Sequence, residues 1–206
     1  MANSSAAWNK AYASNRIQWR GGQRLDLKIP EGSRVLEVGC GNGKTIVSLL
    51  GMNVQLHAID FSTVAIQQAK EFVAQAGKQC DFSVQDVCKM DFEDGFFDFV
   101  LCIHVLGHLT PLQRKKAVSE MLRVSKPGGT LYLRDFTVND FRCGKGTETA
   151  PNTFARKGIA THYFTEEEMA LLLADCKIVS LNPISWKVTY DRKTYPRQEI
   201  GVLVEK

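Results

Sequence analysis

The chain has 206 residues, enough for one domain with a sizeable core, and its 44% hydrophobic and 23% charged residues with 16 Gly and 6 Pro exclude a disordered or collagen-like sequence. No run approaches the roughly 20 apolar residues that a membrane helix needs, and Met1 to Lys10 lacks the charged-then-apolar order of a secretory leader, so a cytoplasmic protein without membrane contact is expected. The net charge of +4 is divided as +4 over residues 1–34, −5 over 35–110 and +5 over 111–206, which fits either a positive partner-facing surface or solvated lysines spread around the fold.

Arg34–Val38 is short, β-branched and followed by glycines, the pattern of a buried parallel strand. A helix is expected after Gly43, closing at Gly51; Val54–Ile59 reads as a second strand, and Ser62 as the cap of a helix that runs to about Ala76 and stops at Gly77. Cys80–Gln85 and Phe96–Ile103 follow as interior strands around the acidic loop Asp86–Gly95. Pro111 opens a helix to Ser125 with Ala117, Val118, Met121 and Leu122 on one face, ended by Pro127-Gly128-Gly129. Thr130–Phe136 is a strand, Thr165–Cys176 a helix, and Ile178–Tyr190 and Arg197–Glu205 are two strands around a turn at Asp191–Pro196. Strand and helix alternate, so the expected fold is an α/β sandwich with a mostly parallel sheet, in which only the final short connection forces an antiparallel pair. Residues 137–163 fit no element and are expected to form a substrate-side insertion.

The strongest local pattern is Glu37-Val38-Gly39-Cys40-Gly41-Asn42-Gly43, at the exit of the first strand, where glycines permit a tight turn and close approach of a ligand. A P-loop would need glycine where Val38 stands, and a dinucleotide loop would need one at Lys44. Glu37 would also repel a pyrophosphate. S-adenosylmethionine, cationic at sulfur and amine and free of phosphate, suits the loop better. His104 and His108 are four apart, but no carboxylate accompanies them and Gly107 intervenes, so no metal is expected, and His104 is read as lining a pocket. Asp98 is read as structural. The six cysteines contain no C-x-x-C pair and are expected to be reduced packing thiols.

VLEVGCGNG resembles the first motif of class I S-adenosylmethionine-dependent methyltransferases, and FDFVLCIHVLGHL and LRVSKPGGTLYL resemble that family's fourth- and fifth-strand segments. The resemblance implies a Rossmann-like class I sandwich with a seven-stranded, mostly parallel sheet and an antiparallel last strand, spanning 1–206 as a single domain. It implies a cofactor site of Glu37, Gly39, Cys40, Gly41 and Gly43, with Asp60 and Phe61 at the ribose, Asp86 and Val87 at the adenine, and Ile103 and His104 beyond the fourth strand.

The flanks, LRDFTVNDFRCGKG and NTFARKGIATHYFTEEEMALLL, with Trp8-Asn9-Lys10-Ala11-Tyr12 near the start, resemble the methyltransferase-like family that makes 3-methylcytidine in tRNA. On that resemblance Trp8 and Tyr12 belong to a lid segment, 1–33, over the cofactor. Arg134, Asp135, Phe136, Arg142, Lys145, Asn152, Phe154, Arg156 and Tyr163 form the acceptor side, the cations as phosphate partners and the aromatic rings as stacking faces for an extruded base. The equally open alternative is that these aromatics pin the insertion to the core. Cytosine N3 carries its own lone pair, so alignment and desolvation matter more than a base, and no catalytic base is assigned. The segment ahead of the first strand is shorter than that family's tRNA-binding extension, which keeps open a small-molecule acceptor or a cofactor-binding partner subunit without turnover.

Overall fold

The computed structural model describes residues 5–14, 25 and 27–206; the lid segment 1–33 therefore lies partly outside the described residues. The chain runs α1 (Ser5–Ser14), β1 (Arg34–Val38), α2 (Ile46–Leu49), β2 (Gln55–Asp60), α3 (Thr63–Gln75), β3 (Asp81–Val84), β4 (Phe97–Ile103), α4 (Pro111–Val124), β5 (Ser125–Phe136), β6 (Thr147–Ala150), β7 (Thr153–Arg156), β8 (Ile159–His162), α5 (Glu166–Leu172), β9 (Lys177–Tyr190) and β10 (Lys193–Glu205). One sheet has the order β3-β2-β1-β4-β5-β10-β9. The pairs among β1 to β5 are parallel, and β10 runs antiparallel to both β5 and β9. This is the class I Rossmann-like sheet, with its last strand in sequence reversed. No helix among the described residues is long and apolar enough to cross a membrane.

Alternation along β1 sends Leu36 and Val38 to one face, under α4 and α5, and Val35 to the other, under α2 and α3, giving two apolar clusters. Glu37 shares the Val35 face and is buried among apolar groups. The strands leave β1 outward through β2 and β3, then return to β4 and β5 on the other side. The reversal opens a crevice between the carboxyl ends of β1 and β4, where α/β sheets bind ligands.

Helix boundaries follow local chemistry. Ser62 Oγ accepts from Ala65 N (3.2 Å) and caps α3, and Thr110 with Gln113 and Thr165 with Glu168 form capping boxes on α4 and α5. Asp98 accepts from Arg34 N (2.8 Å) and pairs with Lys126, tying β4 to the start of β1. All six cysteines are unpaired thiols.

Strand β5 begins at Ser125 and runs through Pro127-Gly128-Gly129, five residues earlier than expected, and beyond that the expected elements need four corrections. The helix after Gly43 shrinks to Ile46–Leu49, because Gly41 and Gly43 take positive φ (53° and 94°) and keep the loop turning through Thr45. Helix α5 ends at Leu172, where Leu173 N and Ala174 N bond three residues back and tighten the last turn. The β9–β10 turn is only Asp191-Arg192, both at positive φ as a type I′ hairpin requires. Strand β10 passes through Pro196 because β5 stops opposite Glu199, so the proline nitrogen meets no ladder partner there.

The fourth correction concerns the insertion, which is not structureless. It carries a three-stranded antiparallel sheet, β6-β7-β8. Asn152 (φ 55°) turns β6 into β7, and Lys157-Gly158 (φ 51° and 80°) make a two-residue turn into β8. The 3₁₀ turn Leu106–His108 after β4 clamps this sheet down: His108 Nδ1 lies 2.9 Å from the Ala160 carbonyl, and Asp135 Oδ2 accepts from Gly107 N (2.8 Å). A Cβ on Gly107 would lie 2.9 Å from both Asp135 Oδ1 and the His162 carbonyl. Gly107→Ala should therefore cost about 1–3 kcal/mol by overpacking, read as a lower denaturant midpoint; an unchanged midpoint would show that the clamp yields freely.

Candidate active site

The crevice holds a cavity of about 210 Å³ lined by the ends of β1, β2 and β4, the residues after β3, and α1. Gly39 (φ 67°) leaves β1 in a conformation that disfavours a side chain, and a Cβ there would meet Val105 Cγ2 at 2.3 Å. Gly41 lies under Tyr12, whose hydroxyl would be 2.6 Å from a Cβ. Asp60, at the end of β2, accepts from Gly41 N (2.9 Å) and Ser62 N (2.8 Å), joining the glycine loop to the start of α3. Burial raises its pKa above the ordinary carboxylate value, and the amides of Ser62, Gly41 and Phe61 pull it part of the way back down. Asp60 is thus both a helix-start ligand and a wall of the cavity.

Helix α1 closes one side. Asn9 Oδ1 accepts from Ser62 Oγ (2.6 Å), Gln68 donates to the Tyr12 carbonyl (3.1 Å), Trp8 stacks on Tyr12 (5.7 Å), and Trp8 meets His108 edge-on at 4.8 Å. Burial first, then Asp60, pushes the Tyr12 phenol well above its usual range, so it stays protonated.

Trp8, Tyr12, Gly39, Asp60, Phe61, Asp86, Val87 and His104 line the cavity as expected. Cys40 and Ile103 do not; both pack into the core under α2 and α3, with the Cys40 thiol 3.5 Å from the Gly41 carbonyl. Gly43 faces Ala69 and Phe72 of α3 and serves loop packing. The cavity also uses Ser5, Gln85, Val105, His108, Leu109 and Gln113. Val105 to Leu109 directly follow β4, so their position at the sheet's reversal was the available signal.

The expected acceptor residues divide. Phe136 lies flat on His104 (4.2 Å, 7°) with the Arg142 and Arg197 guanidiniums 3.8 and 4.9 Å from its ring. Arg134 is buried against Glu199, so it is no phosphate ligand. Arg142 is likewise committed: its Nε donates to Asp140 (2.9 Å), which also receives Arg197 (2.5 Å), because a buried carboxylate needs such partners. Asp135 is buried with both oxygens on backbone amides and does not reach a substrate. Asn152 serves a turn and Tyr163 is buried beside Phe154 (6.2 Å). Lys145 lies 4.4 Å from the Phe141 ring, and Lys145 and Arg156 are exposed. The sequence reading missed Trp186, Tyr195 and Arg197, which the β9–β10 hairpin brings to this cluster; Arg197 lies 5.2 Å from Trp186. Only the long cross-strand register reveals them.

The residues present suit S-adenosylmethionine. The cavity wall includes two carboxylates, Asp60 and Asp86, and no lysine or arginine, which disfavours a phosphate ligand. Glu37, behind the loop, is fully buried with Oε2 lacking a hydrogen-bond partner, and burial raises its pKa from the ordinary 4.5 to about 8. Such a group is suited to meet an ammonium. Among the described residues no three His, Cys, Asp or Glu side chains gather as a metal set.

The family model for a methyltransferase domain matches residues 35–129. The solved structure of a SAM-dependent methyltransferase from Methanosarcina mazei superposes with a TM-score of 0.74 at 26% identity, covering 88% of this chain and 99% of that one. Residues 35–129 thus match a methyltransferase domain, within a fold shared with a SAM-dependent methyltransferase. The chain's sequence is similar to mouse tRNA N(3)-cytidine methyltransferase METTL2 (32% identity over 151 residues, 68% of this chain and 39% of that protein). It is similar also to Schizosaccharomyces pombe tRNA N(3)-methylcytidine methyltransferase trm140 (27% over 216 residues, 94% and 70%). The chain thus spans about two-fifths of the length of the mouse relative.

Two outcomes follow for the methyltransferase domain. Because the folded-state pKa of Glu37 is raised to about 8, the free protein loses stability as pH rises from about 4.5 toward 8, the unfolded chain ionising first. Cofactor binding at pH 7 should release close to one proton, making the calorimetric heat depend on the buffer's ionisation enthalpy, a dependence that Glu37→Gln abolishes; a buffer-independent wild type would show the carboxyl already charged. Trp8→Ala should weaken cofactor binding about tenfold, or about 1.4 kcal/mol, with an unchanged unfolding midpoint; a lowered midpoint would make α1 a structural element instead of a lid.

Proposed function

We propose that this methyltransferase domain transfers a methyl group to a ring nitrogen of an RNA base, with N3 of a tRNA cytidine as the acceptor. The observation that carries this reading is the similarity to relatives named as tRNA N(3)-cytidine methyltransferases, which extends through the insertion to 94% of the chain in the S. pombe protein. The surface supports it: Lys145, Arg156, Lys157, Lys187, Arg192 and Lys193 are exposed on the insertion and the β9–β10 hairpin. The same hairpin carries Trp186, and exposed cations on segments that also bear aromatic rings suit a backbone of phosphates with bases turned inward.

S-adenosylmethionine, when bound, supplies a methyl on cationic sulfur for the nucleophile's lone pair, with the carbon–sulfur electron pair left on sulfur. The chain's own groups do the rest. Asp60, Asp86 and Glu37 hold cationic and hydroxylic parts of the cofactor, Trp8 and Tyr12 exclude water, and Phe136 with its flanking guanidiniums bounds the acceptor side. Because cytosine N3 already carries a lone pair, orientation and a dry site can account for the rate.

Incubation with labelled cofactor and two pools, total small RNA and a low-molecular-weight metabolite extract, should label RNA, and nucleoside mass spectrometry should find 3-methylcytidine. Labelling only the metabolite pool would support a small-molecule acceptor instead. Changing Arg156 and Lys187 to Ala should weaken RNA binding and flatten its salt dependence by about one counterion per contact; an unchanged slope would remove these cations from the interface.

A further inference from the structure

His104 stands at the junction of the cofactor cavity and the aromatic cluster, and its backbone is unusual. Its φ of 60° lies in the left-handed region, which is uncommon for a residue with a side chain. Its contacts hold it in place: His104 N donates to the Arg134 carbonyl (2.8 Å), the ring lies flat on Phe136 at 4.2 Å, and Nε2 is 2.7 Å from Glu199 Oε1. Glu199 is buried, and its other oxygen is taken by Arg134. His104 and Arg134 together hold Glu199 below the ordinary carboxylate range despite its burial, so it is ionised and can only accept. An accepting carboxylate at Nε2 puts the proton on that nitrogen. With Nε2 engaged by Glu199, Nδ1 is the ring nitrogen left for a ligand, on a side chain that lines the cavity.

We propose that His104, oriented by Glu199, selects the acceptor by taking a hydrogen bond at Nδ1 from an N–H beside the nucleophilic nitrogen. This rests on the RNA-base reading and sharpens it. Cytosine carries an amino N–H next to the bare N3, so His104 can hold the amine and leave N3 free. Uracil turns a carbonyl toward the same nitrogen and covers N3 with a proton, which sets two lone pairs against each other. The paired carboxylate and the stacked ring keep the imidazole from turning to suit the wrong base.

The proposal makes an unusual demand on substitutions. Asn at position 104 would place an amide oxygen where Nδ1 lies, and asparagine tolerates positive φ. Gln would place its amide farther out, where Nε2 lies, and would keep the Glu199 bond while losing the Nδ1 acceptor. His104→Asn should therefore retain most of the transfer to small RNA, whereas His104→Gln and His104→Phe should lose at least tenfold in kcat/KM for RNA, with calorimetric affinity for S-adenosylmethionine within twofold of wild type. Gln as active as wild type with Asn inactive would make the Glu199 bond, and packing alone, the role of His104. Loss of cofactor affinity in step with activity would make it a cofactor residue. Both outcomes overturn the proposal.

A second measurement does not need RNA turnover. In ¹⁵N-histidine-labelled protein loaded with S-adenosylhomocysteine, the His104 ring should show its proton on Nε2, and millimolar cytidine should shift the Nδ1 resonance while uridine should not. A proton on Nδ1, or equal responses to the two nucleosides, overturns the proposal. Failure of the wild type to label RNA, with these signals as described, would overturn the RNA reading while leaving the selection of an amino-bearing acceptor supported.

Discussion

The site depends on one buried carboxylate holding three pieces of chain. Asp60 receives Gly41 N from the glycine loop and Ser62 N from the start of α3, and Ser62 in turn donates to Asn9 of α1. The loop's positive-φ glycines are strained choices for anything with a side chain, and they need a fixed partner to stay in one arrangement. Asp60 provides it by accepting one backbone amide on each carboxyl oxygen. The floor, the helix start and the closing helix of the cofactor cavity are therefore coupled through a single side chain.

A parallel arrangement governs the acceptor side. Glu199 on β10 gathers His104 and Arg134, and Asp140 gathers Arg142 and Arg197 around Phe136. Each buried acid is matched by two basic groups, and all but the local Asp140–Arg142 pair join elements far apart in the chain. The β9–β10 hairpin is thus more than the sheet's edge. It supplies Glu199, Arg197 and Trp186, without which the insertion's aromatic and basic groups would have no fixed orientation.

The parts of this molecule that a linear reading reached are those set by short-range chemistry. Glycines after a β-branched strand, Ser62 before a helix and Asp60 at a strand end announce themselves within a few residues, and the cofactor cavity is where they placed it. The insertion's strands escaped because Thr147–Ala150 and Ile159–His162 are four residues each and lack a clear alternation. The roles of Arg134, Arg142 and Asp135 escaped for a different reason. A sequence shows a cation or an acid but not its partner, and Glu199, 65 residues from Arg134, decides that the arginine is structural. Hairpin length failed through Pro196, which reads as a breaker until β5 is seen to end before it.

The charge layout gives the proposed reaction a direction. The cofactor cavity is walled by Asp60 and Asp86 and backed by Glu37, whereas the acceptor side gathers Arg134, Arg142 and Arg197 against only two acids. That surplus reaches Lys44, which partial desolvation and the three guanidiniums depress against the pull of Glu199. Methyl transfer to cytosine N3 moves a positive charge from the carboxylate-rich side to the arginine-rich side. The sulfur product becomes neutral and loses its attraction to the acids, and the methylated base becomes cationic among guanidiniums. Both products are held less well than both substrates, so the electrostatics that assemble the reactants also favour release of what they become.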